Sequence, residues 1–181
     1  QLFVMSHNGG EAEQLTKQKG SVGSYRWSPD GTRIAFVMSE PLSDQEEKDK
    51  KEKRDMVVVD EFKNGHLYTV SVINKDEKNA YRVKRLTTGD FHVTSLNWSP
   101  DSKTIAFTHQ ITPAIDVWPT SDISTVPSDS GAVRTLVKDA GYDGEPMYSP
   151  DGSQIAFLSD GGKTRWAQRS QVCLTSPTGG N

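Results

Sequence analysis

One cysteine, Cys173, stands in 181 residues, so no disulfide can staple the chain internally. Set in an apolar stretch, it reads as a buried, inert thiol. Long apolar runs are also missing. None approaches the roughly 20 residues that cross a bilayer, and Gln1 opens a strand-like segment, not a basic end followed by an apolar h-region. No membrane partner is expected, and localisation stays open between cytoplasm and periplasm. Neither charge sign dominates: 21 basic against 24 acidic residues leave a net −3, which gives no electrostatic reason to hold nucleic acid. Hydrophobic residues make up only 33%, with a mean hydropathy of −0.65, which suits thin sheets with polar turns better than one thick core.

Reactive motifs are scarce as well. A Gly-x-Ser-x-Gly elbow, which would expose a nucleophilic hydroxyl at a strand-to-helix turn, does not occur; Ser21 and Ser24 lie near glycines at the wrong spacing. His7, His66, His92 and His109 fall singly at turns or strand ends and read as surface or packing residues. One cysteine and scattered histidines cannot meet the short spacing of a zinc site, and Asp160-Gly161-Gly162 reads as a hairpin turn, not a phosphate loop. No catalytic, cofactor-binding or metal residue is therefore assigned, and no cofactor is expected. Asp143, Glu145 and the run Asp116 to Trp118 are the residues left that would touch a ligand at a channel or rim.

What the sequence does contain is a repeat. Trp27-Ser-Pro-Asp-Gly31 returns as Trp98-Ser-Pro-Asp-Ser102 and Tyr148-Ser-Pro-Asp-Gly152, each followed by Ile-Ala-Phe at 34–36, 105–107 and 155–157. Leu15, Leu86 and Leu136 stand twelve residues before Trp27, Trp98 and Tyr148, so the phase is strict. Each period offers four short stretches rich in β-branched and aromatic residues, the pattern of successive antiparallel strands a to d. Four-stranded sheets copied at this length are propeller blades. Ser-Pro-Asp-Gly joins a to b because Pro presets φ, Asp bonds the following backbone and Gly tolerates positive φ. Asp30, Asp101 and Asp151 are accordingly turn residues, and a left-handed Ser102 would store about 1 kcal/mol of strain.

The expected fold is all-β: a partial propeller of about three four-stranded antiparallel blades in an open ring. Residues 1–20 form a half blade, 21–90 a blade with a charged insertion at 40–55, 91–140 a blade and 141–181 an incomplete one. Thirteen strands follow from the phase, too few to close, and open edges invite pairing with another copy. Within the insertion, Glu46 with Lys50, Glu47 with Lys51 and Asp49 with Lys53 have the i,i+4 spacing of a short surface helix.

These residues resemble the propeller repeats of TolB-like proteins and of the prolyl oligopeptidase family of serine peptidases. Leu2-Phe-Val-Met5 with Gly9-Gly10 and Gln14-Leu-Thr16 is similar to a blade opening of the acylaminoacyl-peptidase and dipeptidyl-aminopeptidase branch. So are the charged run into Val57-Val-Val-Asp-Glu61 and the segment Gly141 to Gly152. The resemblance implies a non-catalytic propeller segment that gates and orients peptides for an α/β-hydrolase domain absent from this sequence. Its implied partners are that domain and a peptide substrate. Two alternatives stay open: a TolB-like protein-interaction module, and a sugar-active or lyase-type propeller with its site in the channel.

Overall fold

The computed structural model describes residues 1–53, 62–164, 167 and 169–179. Val57 to Glu61, quoted above for the resemblance, lies outside them. Among the described residues, thirteen strands form four antiparallel sheets. The first pairs β1 (Phe3–Val4) with β2 (Glu13–Gln14). The second runs β3 (Val22–Trp27), β4 (Arg33–Ser39), β5 (Gly65–Lys75) and β6 (Tyr81–Arg85) in sequence order. The third does the same with β7 (His92–Trp98), β8 (Thr104–Gln110), β9 (Asp122–Pro127) and β10 (Arg134–Val137). The fourth has three strands, β11 (Asp143–Tyr148), β12 (Ile155–Ser159) and β13 (Gln171–Thr175).

Each a–b turn closes the same way. In the first copy Ser28 Oγ donates to Asp30 Oδ1 at 2.6 Å, and Asp30 Oδ1 accepts from Thr32 N at 2.9 Å. Ser99 with Asp101 and Ser149 with Asp151 repeat the pair at 2.6 Å. These bonds explain the acidity of the three aspartates: the serine hydroxyl first, then the backbone amide, hold Asp30 and Asp151 down at about 2 and lower Asp101. Ser102 is left-handed at φ 60, beside φ 70 at Gly31 and φ 72 at Gly152. Its hydroxyl accepts from Asp30 N at 3.1 Å across the blade junction, a bond glycine cannot make and one that offsets the strain.

The packing shows why Ile-Ala-Phe recurs. Strand b lies second in its blade and is covered on both faces, so it reads as a continuous apolar run. Ile34, Phe36 and Met38 pack back onto Leu2 and Leu15 of the half blade, while Ala35 and Val37 face forward to Val93, Leu96 and Trp98. The next blade repeats this, with Ile105 and Phe107 facing back and Ala106 facing forward to Tyr148. A small residue at the centre of the motif thus receives the aromatic of the following blade. Trp98 has that seat and is 5% exposed; Trp27, facing a half blade that has no strand b, is 48% exposed.

Bonds between blades align the ends of the sheets. Asp143 N donates to Ser121 O at 2.8 Å and Gly65 N to His92 Nδ1 at 2.8 Å, so the ends of the b, c and a strands meet on one rim. That rim carries α1 (Asp44–Lys51) and the 3₁₀ turn Ile115–Thr120. Helix α1 has a full capping box, Ser43 Oγ accepting from Glu46 N and Glu46 Oε2 from Ser43 N. Its carboxylates reach beyond the helix, Glu46 to Lys63 at 2.9 Å and Glu47 to Lys19 at 3.3 Å, which ties the arm to the sheet. The whole is a partial, open β-propeller.

Cys173 departs from expectation. It is half-buried, between Val172 at 72% and Leu174 at 61% exposure. Strand β13 is the outer strand of its three-stranded sheet, and among the described residues no fourth strand shields it.

Candidate functional site

The three blades share one register at the rim. A bulge interrupts each a–b ladder at the same place, and beyond it Val22 pairs with Met38, Val93 with His109 and Asp143 with Ser159. Asp143 therefore occupies the slot that the other two blades fill with valine. It is 0% exposed, and neither carboxylate oxygen has a hydrogen-bond partner among the described residues. Burial pushes it up to about 6; the Ser159 hydroxyl beside it, outside bonding geometry, works the other way, and Asp139 and Asp122 push further up. Asp122 is raised by its own burial, against the pull of Lys138, and its Oδ1 is also unpartnered. Asp160 follows β12 and is held by Ser170 Oγ at 2.8 Å through Oδ1, leaving Oδ2 buried and unpartnered.

An aromatic wall flanks this acid. Trp118 of the 3₁₀ turn meets Tyr142 edge-on at 5.6 Å, and Tyr142 O accepts from Asp160 N at 3.0 Å. Burial, then Glu145, Asp160 and Asp143, hold the Tyr142 hydroxyl up at about 12. Glu145, exposed with φ 53, is fixed by its amide on Thr108 Oγ1 at 3.0 Å. Of the residues singled out from sequence, the fold brings Trp118, Asp143 and Glu145 to one junction between the third and fourth sheets. Tyr142, Asp122, Asp139 and Asp160 complete it, and sequence reading missed them. The signal available was the register itself: an acid in line with Val22 and Val93.

The histidines do not stand singly. At the preceding junction His66 meets Phe91 edge-on with centroids 5.7 Å apart and Phe91 meets His109 at a tilt at 5.1 Å, because β5, β7 and β8 converge there. His66 Nε2 lies 3.5 Å from Glu40, which also takes Arg85 at 3.1 Å. Burial lowers both His66 and His109 to about 4. Each pairs with a buried hydroxyl, His109 Nε2 with Ser124 Oγ at 2.8 Å and His66 Nδ1 with Thr87 Oγ1 at 3.3 Å; Ser21 and Ser24 lie elsewhere, Ser24 Oγ donating to Thr94 O at 3.1 Å and Ser21 N to Ser39 Oγ at 3.1 Å. Among the described residues no group of three or more His, Cys, Asp or Glu is placed to hold a metal.

On the opposite rim a cleft of about 680 Å³ opens between the third and fourth sheets, lined in part by Asp101, Thr104, Arg134, Tyr148 and Gly152. At the preceding junction the corresponding space is filled by Arg33, which donates to Ser102 O at 2.7 Å and Ser128 Oγ at 3.0 Å. Thr104 and Gly152 stand where Arg33 and Ser102 stand one blade earlier, so that clamp has no counterpart.

These shifts set the acid response. His66 and His109, neutral when folded and ordinary when unfolded, remove stability as pH falls from about 6.5 through about 4. Asp143, raised when folded, returns part of it between about 6 and 4. Asp30 and Asp151 remove more between about 4 and 2. The melting temperature should therefore fall by several degrees from about pH 7.5 to about pH 4.5, then steeply below about pH 4. Circular dichroism melts check this; a rise on acidification to about pH 4.5 would contradict it.

No family model matches the sequence. Among solved structures, a TolB-type protein from Agrobacterium tumefaciens superposes on 99% of this chain and 53% of its own, at 22% identity and TM-score 0.61. An oligogalacturonate lyase from Vibrio parahaemolyticus matches 99% of this chain and 44% of its own, at 15% identity and TM-score 0.63. Prolyl oligopeptidase B from Galerina marginata matches 87% and 20%, at 11% identity and TM-score 0.55. The chain spans about half the length of the first of these proteins and less of the others. What is shared is the propeller fold, found in TolB-like proteins and in peptidases alike.

Proposed function

We propose that this chain is a non-catalytic propeller segment of a prolyl oligopeptidase-family serine peptidase, gating and orienting peptides for an α/β-hydrolase domain outside this sequence. The observation that carries the reading is the charged b–c excursion of the first full blade, docked as α1 through Glu46 and Glu47. It stands on the same rim as the acid-lined junction around Asp143. Prolyl oligopeptidase B, of similar fold, binds a 35mer hydrolysis and macrocyclisation substrate. Here the rim supplies recognition, and the bond-breaking groups belong to the partner domain.

Chromogenic dipeptides test the division of labour. This polypeptide alone should turn over none of them, and the coding sequence beyond it should specify Gly-x-Ser-x-Gly followed by Asp and His; robust hydrolysis by the chain alone overturns the reading. The alternative is a TolB-like protein-interaction module, favoured by the 22% identity and 99% coverage against the Agrobacterium protein. A stop codon soon after the last blade selects it. Under either reading the outer strand β13 and the face bearing Trp27 are open to edge-to-edge pairing with a second copy. Concentration-dependent association in sedimentation velocity is then expected, and a compact monomer at all concentrations counts against it.

A further inference from the structure

The cleft between the third and fourth sheets has a filled twin one blade earlier. There the guanidinium of Arg33 lies 5.2 Å over the Trp98 ring and donates to Ser102 O at 2.7 Å, Ser128 Oγ at 3.0 Å and Asp129 Oδ1 at 2.8 Å. Strand register gives the position that answers to each of these groups. Tyr148 pairs with Ile155 as Trp98 pairs with Ile105, so its ring, 9% exposed, stands where the indole stands. Gly152 O takes the place of Ser102 O, and Pro177 and Thr178 take those of Ser128 and Asp129. What is missing is the arginine itself. Thr104 holds its position and is too short to cross the junction. Ser102 O accepts from Arg33 and from the Ser128 hydroxyl. Gly152 O has lost both donors, because threonine and proline stand in their places, and among the described residues nothing replaces them.

We propose that this cleft binds an arginine side chain of a partner polypeptide, its guanidinium in the position that Arg33 occupies one blade earlier. A planar fork of N–H donors suits an unpartnered carbonyl beside an aromatic face better than a compact ammonium does. The charges lining the cleft favour a cation. Asp101 and Asp151 stand against Arg134 alone, whose guanidinium already donates to Thr178 O. Pro100, Pro127 and Pro177 give the arginine methylenes apolar walls. One wall is fixed by its own loop, since a Cβ at Gly131 would lie 2.8 Å from Pro127 Cγ. The volume of about 680 Å³ lies within the roughly 300–1,000 Å³ that encloses a drug-sized ligand, so flanking peptide enters with the side chain. A polypeptide, not a free guanidinium compound, is therefore the occupant. Every lining residue belongs to this chain and the cleft lies on the rim opposite α1, so the proposal stands whether or not a hydrolase domain accompanies the propeller.

Titration of the isotope-labelled whole chain with acetyl-Gly-Arg-Gly amide, followed by two-dimensional NMR, should give saturable shifts with a Kd of about 1 mM. The shifts should centre on the amides of Tyr148, Gly152 and Thr178. The matching citrulline peptide, of the same shape without the charge, and the lysine peptide, of the same charge without the fork, should each bind at least about fivefold more weakly. Thr104→Arg supplies the missing side chain from within. It should abolish binding of the arginine peptide and raise the melting temperature by several degrees. The three peptides need no variant, so their comparison decides the matter even where Thr104→Arg does not fold. Equal binding of the citrulline peptide, shifts that map away from the cleft, or undiminished binding in folded Thr104→Arg overturns the proposal. So does inorganic phosphate that binds more tightly than the arginine peptide and is lost in Arg134→Ala, which would make the cleft an anion site.

Discussion

Phe107→Ala should cost about 3–5 kcal/mol of stability, the usual penalty for deleting a fully buried aromatic. Phe107 is completely buried on β8, with ring centroids 6.3 Å from Phe91 and 5.6 Å from His109. It shares one core with Leu67, Leu96 and Ile105, where two complete blades meet. Losing the ring leaves a cavity that rigid strands on both sides cannot close, so the neighbouring blades uncouple. Urea unfolding gives the number. Phe157→Ala is the internal control, because Phe157 holds the same place in the repeat, on the middle strand of the three-stranded fourth sheet, and is 8% exposed where Phe107 is fully buried. It should cost about half as much or less. Equal losses at both positions would mean that the junction between blades contributes nothing beyond the motif itself.

Arg33→Ala should rank second, at about 2–3 kcal/mol, since hydrogen bonds from a charged donor are worth about 1.5–3 kcal/mol each when the acceptors stay desolvated. The guanidinium leaves the first full blade to meet the second: it donates to Ser102 O at 2.7 Å, Ser128 Oγ at 3.0 Å and Asp129 Oδ1 at 2.8 Å, and lies 5.2 Å over the Trp98 ring. Asp129 is exposed, so its share is small. Most of the loss comes from the carbonyl of Ser102 and the indole face. A double-mutant cycle with Trp98→Phe isolates the ring contact, expected at about 0.5–1 kcal/mol. Arg33→Lys should recover little, because an ammonium cannot span three acceptors in one plane. Full recovery by lysine would show that charge alone, not the fork, holds the junction.

The repeat made the blades legible because its information is local. Pro, Asp and Gly specify a tight hairpin from within four residues, and the structure keeps that turn three times over, Ser102 included. The i,i+4 charges likewise announced α1, although Glu46 and Glu47 find their bonded partners in Lys63 and Lys19. Asp143 was visible only as a turn-type residue among others. Its importance depends on burial between two sheets, and burial is set by Ser121, Tyr142 and Ser159, which arrive from three different strands or their ends. The histidines were legible as packing residues but their neighbours were not: far apart in sequence, His66 and His109 meet the same Phe91 ring only when the blades pack together.

By itself the sequence determined the unit and its phase: hairpin, apolar b strand, four strands per blade and an unclosed array, all from patterns that act over a few residues and repeat. Tertiary structure decided everything that lies between units. It seats the aromatic of one blade on the alanine of the one before, leaves Trp27 without a seat, opens a cleft where Thr104 replaces Arg33, and buries the Asp143 carboxylate between two sheets with the Ser159 hydroxyl beside it. The physical reason is that turn geometry is a short-range steric property of the chain. Desolvation and charge compensation depend instead on which surfaces the assembled sheets bring face to face.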